Sequence, residues 1–233
     1  MWQGEHDFGD YFFAYCGPAG DNARHSHATL QVSWGFGDAL RIETPSGLLV
    51  HSDPVFIRPG TPHRLLPAGR ILLILIEPQS TVAQHILAEL GPDSYAVRRD
   101  IFNPAPFLQA DLSTAMSTLA ALASARVPQI DERLEQALSF LRTAPLKAAV
   151  SVAARQVGLS ESRLRALAHA SLGVPLSKWL LWVAVGRAAG ALRQGASLAE
   201  AAISGGFSDQ SHYSRTLKRL TGILPSTAKN LLQ

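Results

Sequence analysis

The stretch Ser197-Leu-Ala-Glu-Ala-Ala-Ile-Ser-Gly205-Gly206-Phe207-Ser-Asp209-Gln-Ser-His-Tyr213-Ser-Arg-Thr-Leu217-Lys-Arg-Leu220-Thr-Gly222-Ile-Leu-Pro225 reads as two short helices around a glycine turn. The alanine-rich half ends at Gly205-Gly206, where glycine can take a positive φ, and Ser208 or Asp209 can then cap the next helix through a side-chain oxygen. Tyr213, Leu217 and Leu220 recur at spacings of four and three, which places them on one buried stripe. Gln210, Ser211, Ser214, Arg215 and Lys218 fall on the other faces. The layout is that of a helix-turn-helix, whose second helix can present polar groups to base edges in a major groove.

A second copy lies upstream. Shifted by 49 residues, Leu164 overlays Tyr213, Ala168 overlays Leu217 and Gly173 overlays Gly222. Each helix follows a glycine turn, Gly158-Leu159-Ser160 or Gly205-Gly206-Phe207-Ser208, and is followed by a proline, Pro175 or Pro225. Two such units in tandem are far less expected by chance than one.

On these residues the segment from Asp131 to the C-terminus resembles the DNA-binding domain of the AraC/XylS family of transcription regulators. The stretch Gly206 to Arg215, with Lys218, Gly222 and Pro225, is close to that family's signature. The resemblance implies double-stranded promoter or operator DNA as partner. It also implies a long connecting helix, Pro175 to Arg193, holding two recognition helices about one DNA turn, roughly 34 Å, apart. RNA polymerase is a further partner if the protein activates, and a homodimer is the expected assembly.

Charge is distributed accordingly. From Pro145 onward the chain has 11 lysines and arginines against 3 acidic residues, whereas residues 1–144 hold 10 against 15, so the net +3 conceals a basic C-terminal part. Such a surplus coinciding with the tandem motif is the electrostatic footprint of phosphate binding. In the first unit Ser160 caps a helix that turns Leu164, Leu167 and Leu172 inward and leaves Ser162, Arg163, Arg165, Ala166 and His169 outside. Arg165 is expected to read a base, and Arg163 or His169 to hold phosphate. In the second unit Gln210 and Ser214 are the expected base readers, with Ser211 beside them. Arg215 is expected on a base or a phosphate, and Lys218 on the backbone.

The first hundred residues carry a different pattern. Tyr11–Tyr15, Gln31–Phe36, Ala39–Glu43, Gly47–Val50, Pro54–Ile57 and Ile71–Ile76 are rich in β-branched or aromatic residues and separated by Gly, Pro, Asp and Ser. Short strands with close turns and no intervening helix predict a barrel or jelly roll. His25 and His27, two apart on an extended strand, would face one way, and His63 from a neighbouring segment would complete a set of nitrogen ligands. With Gln31 and Pro59-Gly60-Thr61-Pro62-His63, this arrangement resembles the two motifs of the cupin fold. It departs from them in that Gln31 stands where a metal cupin places glutamate, and no residue separates Pro59 from Gly60. A neutral amide beside three imidazoles would favour one divalent zinc, nickel, copper or cobalt ion. The other expectation is an organic effector in the same pocket. Arg41, Arg58 and Arg64 are candidates to meet an anionic ligand there, while Trp34 and Phe36 read as core.

Between these parts the period becomes 3.6. Thr81–Leu90 and Pro106–Arg126 predict helices, the second serving dimerisation or covering the barrel, before the linker Val127-Pro128-Gln129-Ile130. Asp131 is expected to cap a helix from Glu132 to Arg142.

The sequence thus predicts an α+β protein of two domains. They are a cupin-like effector domain (β-barrel or jelly roll) over 1–95 and an all-α domain with two helix-turn-helix units over 131–233, joined by a helical connector over 96–130. The function expected is a sequence-specific DNA-binding regulator controlled by a metal ion or small molecule, and not an enzyme. The alternative is a metal-dependent cupin enzyme with a helical appendage. Met1 to Asp7 lacks a secretory pattern, Ile71–Ile76 is too short to span a bilayer, and the single cysteine, Cys16, forms no internal disulfide. A cytoplasmic protein without membrane association is expected.

Overall fold

The computed structural model describes residues 2–98, 101, 112, 130–145 and 149–233. The chain divides into two compact units, residues 1–128 and 129–233.

The first unit is antiparallel β structure. Strands β1 (Glu5–Gly9), β2 (Phe12–Ala19), β8 (Ala68–Ile76), β3 (Leu30–Gly35), β6 (Val55–Ile57) and β9 (Tyr95–Val97) form a six-stranded sheet in that order. Strands β5 (Gly47–His51), β4 (Leu40–Thr44) and β7 (Arg64–Leu65) form a second sheet of three. All six expected strands are present, but among the described residues the sheets are not closed into a barrel. Pro54, Pro59, Pro62 and Pro67 flank β6 and β7, and a residue without an N–H cannot extend a ladder across a seam.

Alternation along the central strands sorts the side chains. Leu30, Val32 and Trp34 of β3, Ala14 and Cys16 of β2, and Leu72, Ile74 and Ile76 of β8 join one apolar core with Ala83, Ile86 and Leu90. The last three belong to helix α1 (Thr81–Leu90), capped by Ser80, whose side chain accepts from the Ala83 N–H. The intervening residues of β3, Gln31 and Ser33, point to the opposite face of that sheet, yet both are buried. Two polar side chains in mid-strand must be hydrogen-bonded, and their partners define the histidine centre described below. The helix expected at Pro106–Arg126 and most of the linker after it lie outside the described residues, although Leu112 joins the α1 core.

The second unit is helical. It comprises α2 (Glu132–Thr143), α3 (Ala149–Gln156), α4 (Glu161–Leu172), α5 (Leu176–Arg193), α6 (Leu198–Gly205), α7 (Gln210–Thr221) and α8 (Pro225–Leu232). Asp131 caps α2 as expected, its carboxylate accepting from the Arg133 N–H. The spine is α5, where Trp179, Ala184, Ala188 and Leu192 are fully buried and α6, α7 and α8 pack around it. No helix among the described residues is long and apolar enough to cross a membrane.

Candidate DNA-binding interface and histidine centre

Helices α6 and α7 make the C-terminal helix-turn-helix. Ser197 and Glu200 close a capping box at the start of α6, and Gly206 ends it in the left-handed region at φ 84°. Of the two cap candidates, Asp209 holds the α7 N-terminus, its carboxylate accepting from the His212 N–H at 2.7 Å. That bond, with the Ser208 hydroxyl as a second donor, holds the Asp209 carboxyl below the ordinary carboxylate range. Tyr213, Thr216, Leu217 and Leu220 are the buried stripe of α7. Burial pushes the Tyr213 hydroxyl up to about 12, so it stays neutral. Gln210, Ser211, Arg215 and Lys218 are exposed and Ser214 is half-buried, all off the buried stripe.

The upstream unit repeats the design with α3 and α4. The Ser160 hydroxyl accepts from the Arg163 N–H at 3.2 Å, and Gly173 ends α4 at φ 69°. Leu164, Ala168 and Leu172 are buried, whereas Leu167 is half-buried. Ala168 therefore takes the inward place expected for Leu167, being four residues from Leu164 on the same stripe. Ser162, Arg163, Arg165 and His169 are all exposed. Arg165 lies 3.5 Å from Glu161 one turn earlier, a surface pair of small energy that a phosphate or base can displace. Arg165 and His169 also line a shallow groove with Pro175, Leu176 and Ser177 at the start of α5.

Two basic residues outside the expected interface lie close to each other. Lys178 on α5 has its pKa lowered by burial and then by Arg219 of α7, so two cations from different helices converge. Neither bears the helix signature, and only the packing of α7 on α5 unites them. Arg187 also escaped the sequence: it donates to the Arg142 and Ala144 carbonyls at 3.2 and 3.0 Å and to the Gly205 carbonyl at 3.0 Å. One side chain thus ties the end of α2 to the turn of the second unit.

The histidine centre lies in the β unit. His25, His27 and His63 place one ring nitrogen each within 4.8 Å of the others. His27 and His63 are buried and His25 is half-buried. The two neighbouring histidines do not lie on a strand, contrary to expectation. They precede β3 on an extended segment that meets His63 through one isolated bridge, the His25 and His63 backbones exchanging N–H to carbonyl bonds of 2.9 Å. The ladder stops there because the Thr61 N–H turns to the Arg58 carbonyl and the His27 carbonyl accepts from the Gly60 N–H. Gln31 lies under the rings, its carboxamide 2.9 Å from His27 Nε2, 3.0 Å from His63 Nε2 and 2.8 Å from Ser33 Oγ.

The arginines expected near a ligand are engaged elsewhere. Arg64 pairs with Asp21 at 3.0 Å and Glu43 at 3.4 Å, and Arg58 donates to the Leu87 and Gly91 carbonyls at the end of α1. Arg41 reaches the Pro67 carbonyl at 3.4 Å. Each meets acceptors from segments distant in sequence, which strand parity does not reveal. Trp34 and Phe36 meet in a tilted ring contact at 4.5 Å between centroids, with Trp34 buried in the α1 core.

Residues 153–230 match the protein family described as "Helix-turn-helix domain". Among solved structures, apo ToxT carrying one substitution, from Vibrio cholerae strain SCE256, aligns over 97% of this chain and 100% of its own at 10% identity and TM-score 0.64. Unsaturated fatty acid bound wild-type ToxT from the same strain aligns over 97% and 98% at 10% identity and TM-score 0.57. A regulator from Chromobacterium violaceum with an AraC-type DNA-binding domain is 27% identical over 42% of this chain and 89% of its own, with TM-score 0.40. No curated protein matches the chain in sequence. Residues 153–230 thus belong to the helix-turn-helix domain family, and the chain as a whole shares the fold of ToxT.

Proposed function

We propose that the protein binds an asymmetric operator through both helix-turn-helix units at once and that a small effector held by the β unit changes that binding. The observation that carries the reading is the pair of capped helices α4 and α7, each with an apolar stripe buried and a polar face exposed, built on the single helix α5. Arg165, Gln210 and Ser214 read bases, Arg215 reads a base or grips phosphate, and Arg163, His169 and Lys218 hold the backbone. Ser162 and Ser211, at the exposed start of each helix, border the bases. The protein acts in the cytoplasm as a homodimer, and as an activator it contacts RNA polymerase.

Control requires the effector to bind one arrangement of the protein more tightly than another. A fatty acid occupies one ToxT structure, which supports an organic effector for this fold, while the three histidines support a metal ion. The histidine centre also favours a second reading, a metal enzyme of cupin type with a helical appendage. The capped recognition helices and the basic C-terminal part have no use in such an enzyme.

The test is binding of the full chain to a duplex selected from a random pool, beside unselected duplex, at fixed salt. A specific regulator binds the selected duplex tighter by about a thousandfold or more. Equal affinity for the two would overturn the reading in favour of a nonspecific DNA-coating protein.

A further inference from the structure

We propose that His25, His27 and His63 form a mononuclear site for a borderline divalent ion, of the zinc or cobalt type, bound through their Nε2 atoms. In the same proposal the Gln31 carboxamide oxygen, already turned toward two of the rings, serves as fourth ligand or as acceptor for a metal-bound water. The argument is local to the β unit and independent of what the helices bind.

The first observation is how the rings are held. His25 Nδ1 lies 2.9 Å from the Ala23 carbonyl and His63 Nδ1 lies 2.9 Å from the Thr61 carbonyl. A carbonyl only accepts, so in the neutral ring the proton sits on Nδ1 and the lone pair on Nε2. His27 Nδ1 is held by Thr29, 3.1 Å from its carbonyl and 2.8 Å from its hydroxyl. Anchoring of one ring nitrogen by the backbone, leaving the other as donor to a metal, is how ligating histidines are oriented. Here it occurs three times around one point.

The second observation is convergence. The ring centroids stand 4.4, 5.1 and 5.7 Å apart. Nitrogens bound to an ion at 2.0–2.1 Å in tetrahedral geometry are about 3.3 Å apart, so rotations of the rings about their side-chain bonds bring the present 4.8 Å spread to a bonding set.

The third is the role of Gln31. Its Oε1 stands 2.9 Å from His27 Nε2 and 3.0 Å from His63 Nε2, and its NH2 donates to Ser33 Oγ at 2.8 Å. With the ring protons on Nδ1, two lone pairs and a carboxamide oxygen face one another, and an ion placed among them is the partner that all of them can share. The amide oxygen is thereby already turned to serve as a fourth ligand or as acceptor for a bound water, while its NH2 keeps its bond to Ser33.

The donor chemistry sets the ion. Three imidazoles and an amide are all neutral, which suits zinc, cobalt, nickel or copper and disfavours magnesium, calcium and manganese, ions that take carboxylates. The same neutrality leaves the charge of the ion uncompensated, so an anion or hydroxide from solvent completes the shell on the half-exposed His25 side.

The test uses the full-length protein after chelator treatment, without DNA. Cobalt(II) is titrated in with its visible ligand-field absorption as readout, and zinc displaces it in competition. The expected result is one equivalent per chain, affinity weakened at least about a hundredfold by His63→Ala and by His25→Ala, and affinity raised about tenfold by Gln31→Glu. Magnesium at large excess leaves the spectrum unchanged, and His6→Ala and His51→Ala bind as wild type. His25 is half-exposed, so its variant keeps the fold if removal of the buried His63 does not. No stoichiometric uptake by wild type, uptake indifferent to His25→Ala, or displacement of cobalt by magnesium would each overturn the proposal.

Discussion

The guanidinium of Arg187 on α5 donates to the backbone carbonyl of Gly205 at 3.0 Å, and this contact fixes the turn of the second helix-turn-helix against the spine of its domain. Gly205 accepts because nothing separates the helices: a Cβ built there would stand 2.7 Å from the Ala184 carbonyl and 2.8 Å from the Phe207 ring. The arginine and the missing side chain are two parts of one close approach.

Replacing Arg187 by alanine leaves three carbonyls at the ends of α2 and α6 without their donor. The expected loss is about 2 kcal/mol of stability in the helical unit, read as a lower urea midpoint by circular dichroism. Arg187→Lys recovers only part of it, since one ammonium cannot fork to both helix ends.

Gly205→Ala and Gly206→Ala separate two physical causes at neighbouring positions. Gly205→Ala forces backbone against backbone and costs about 1–3 kcal/mol. Gly206→Ala meets the left-handed φ of 84° and costs about 1 kcal/mol. An asparagine at 206 restores stability, because it tolerates that φ, whereas Gly205→Asn is worse than Gly205→Ala. Thermal unfolding of the four variants checks the order.

Arg165→Ala relaxes discrimination at one base pair by about 1–3 kcal/mol while leaving affinity for random duplex nearly unchanged. Lys218→Ala weakens all sequences alike and lowers the salt dependence of log K by about one unit. Fluorescence anisotropy on selected and random duplexes across a salt series distinguishes the two roles. Equal losses on both duplexes for Arg165→Ala remove it from the base readers.

Asp209 makes the recognition helix sensitive to acid. Its carboxyl is depressed in the folded state, first by the His212 N–H and then by the Ser208 hydroxyl. The stability it adds is therefore present above the unfolded carboxylate value of about 3.9 and is lost as pH falls below it. Asp209→Asn keeps the cap acceptor and loses this dependence. The difference in urea midpoint between wild type and Asp209→Asn is expected to be constant from pH 7 to about 5 and to change in the variant's favour toward pH 3.

Local patterning reached far into this fold. The stripe of Tyr213, Leu217 and Leu220, the caps at Ser160, Asp131 and Asp209, and helix α1 at Thr81–Leu90 all stand where period and capping chemistry put them. The short strands β1, β7 and β9 did not emerge: β7 has two residues, and β9 becomes a strand only by pairing with β6, with α1 between them in sequence. The histidines were legible as a group but not as a geometry. His-x-His suggested a strand, and the chain instead makes a single bridge to His63 before the turn at Arg58–Thr61 takes up the next backbone groups.

What the sequence by itself determined is what depends on neighbours a few residues away: helix periods, caps, glycine turns, the repeat at 49 residues and the basic C-terminal part. Only tertiary structure decided what depends on residues far apart in the chain. Among the described residues it left the sheets open, sent Arg41, Arg58 and Arg64 to acceptors from segments distant in sequence, put Arg187 between two helix ends, and set Gln31 beneath His27 and His63. A buried polar group must find a partner wherever packing brings one, and no local pattern records that choice.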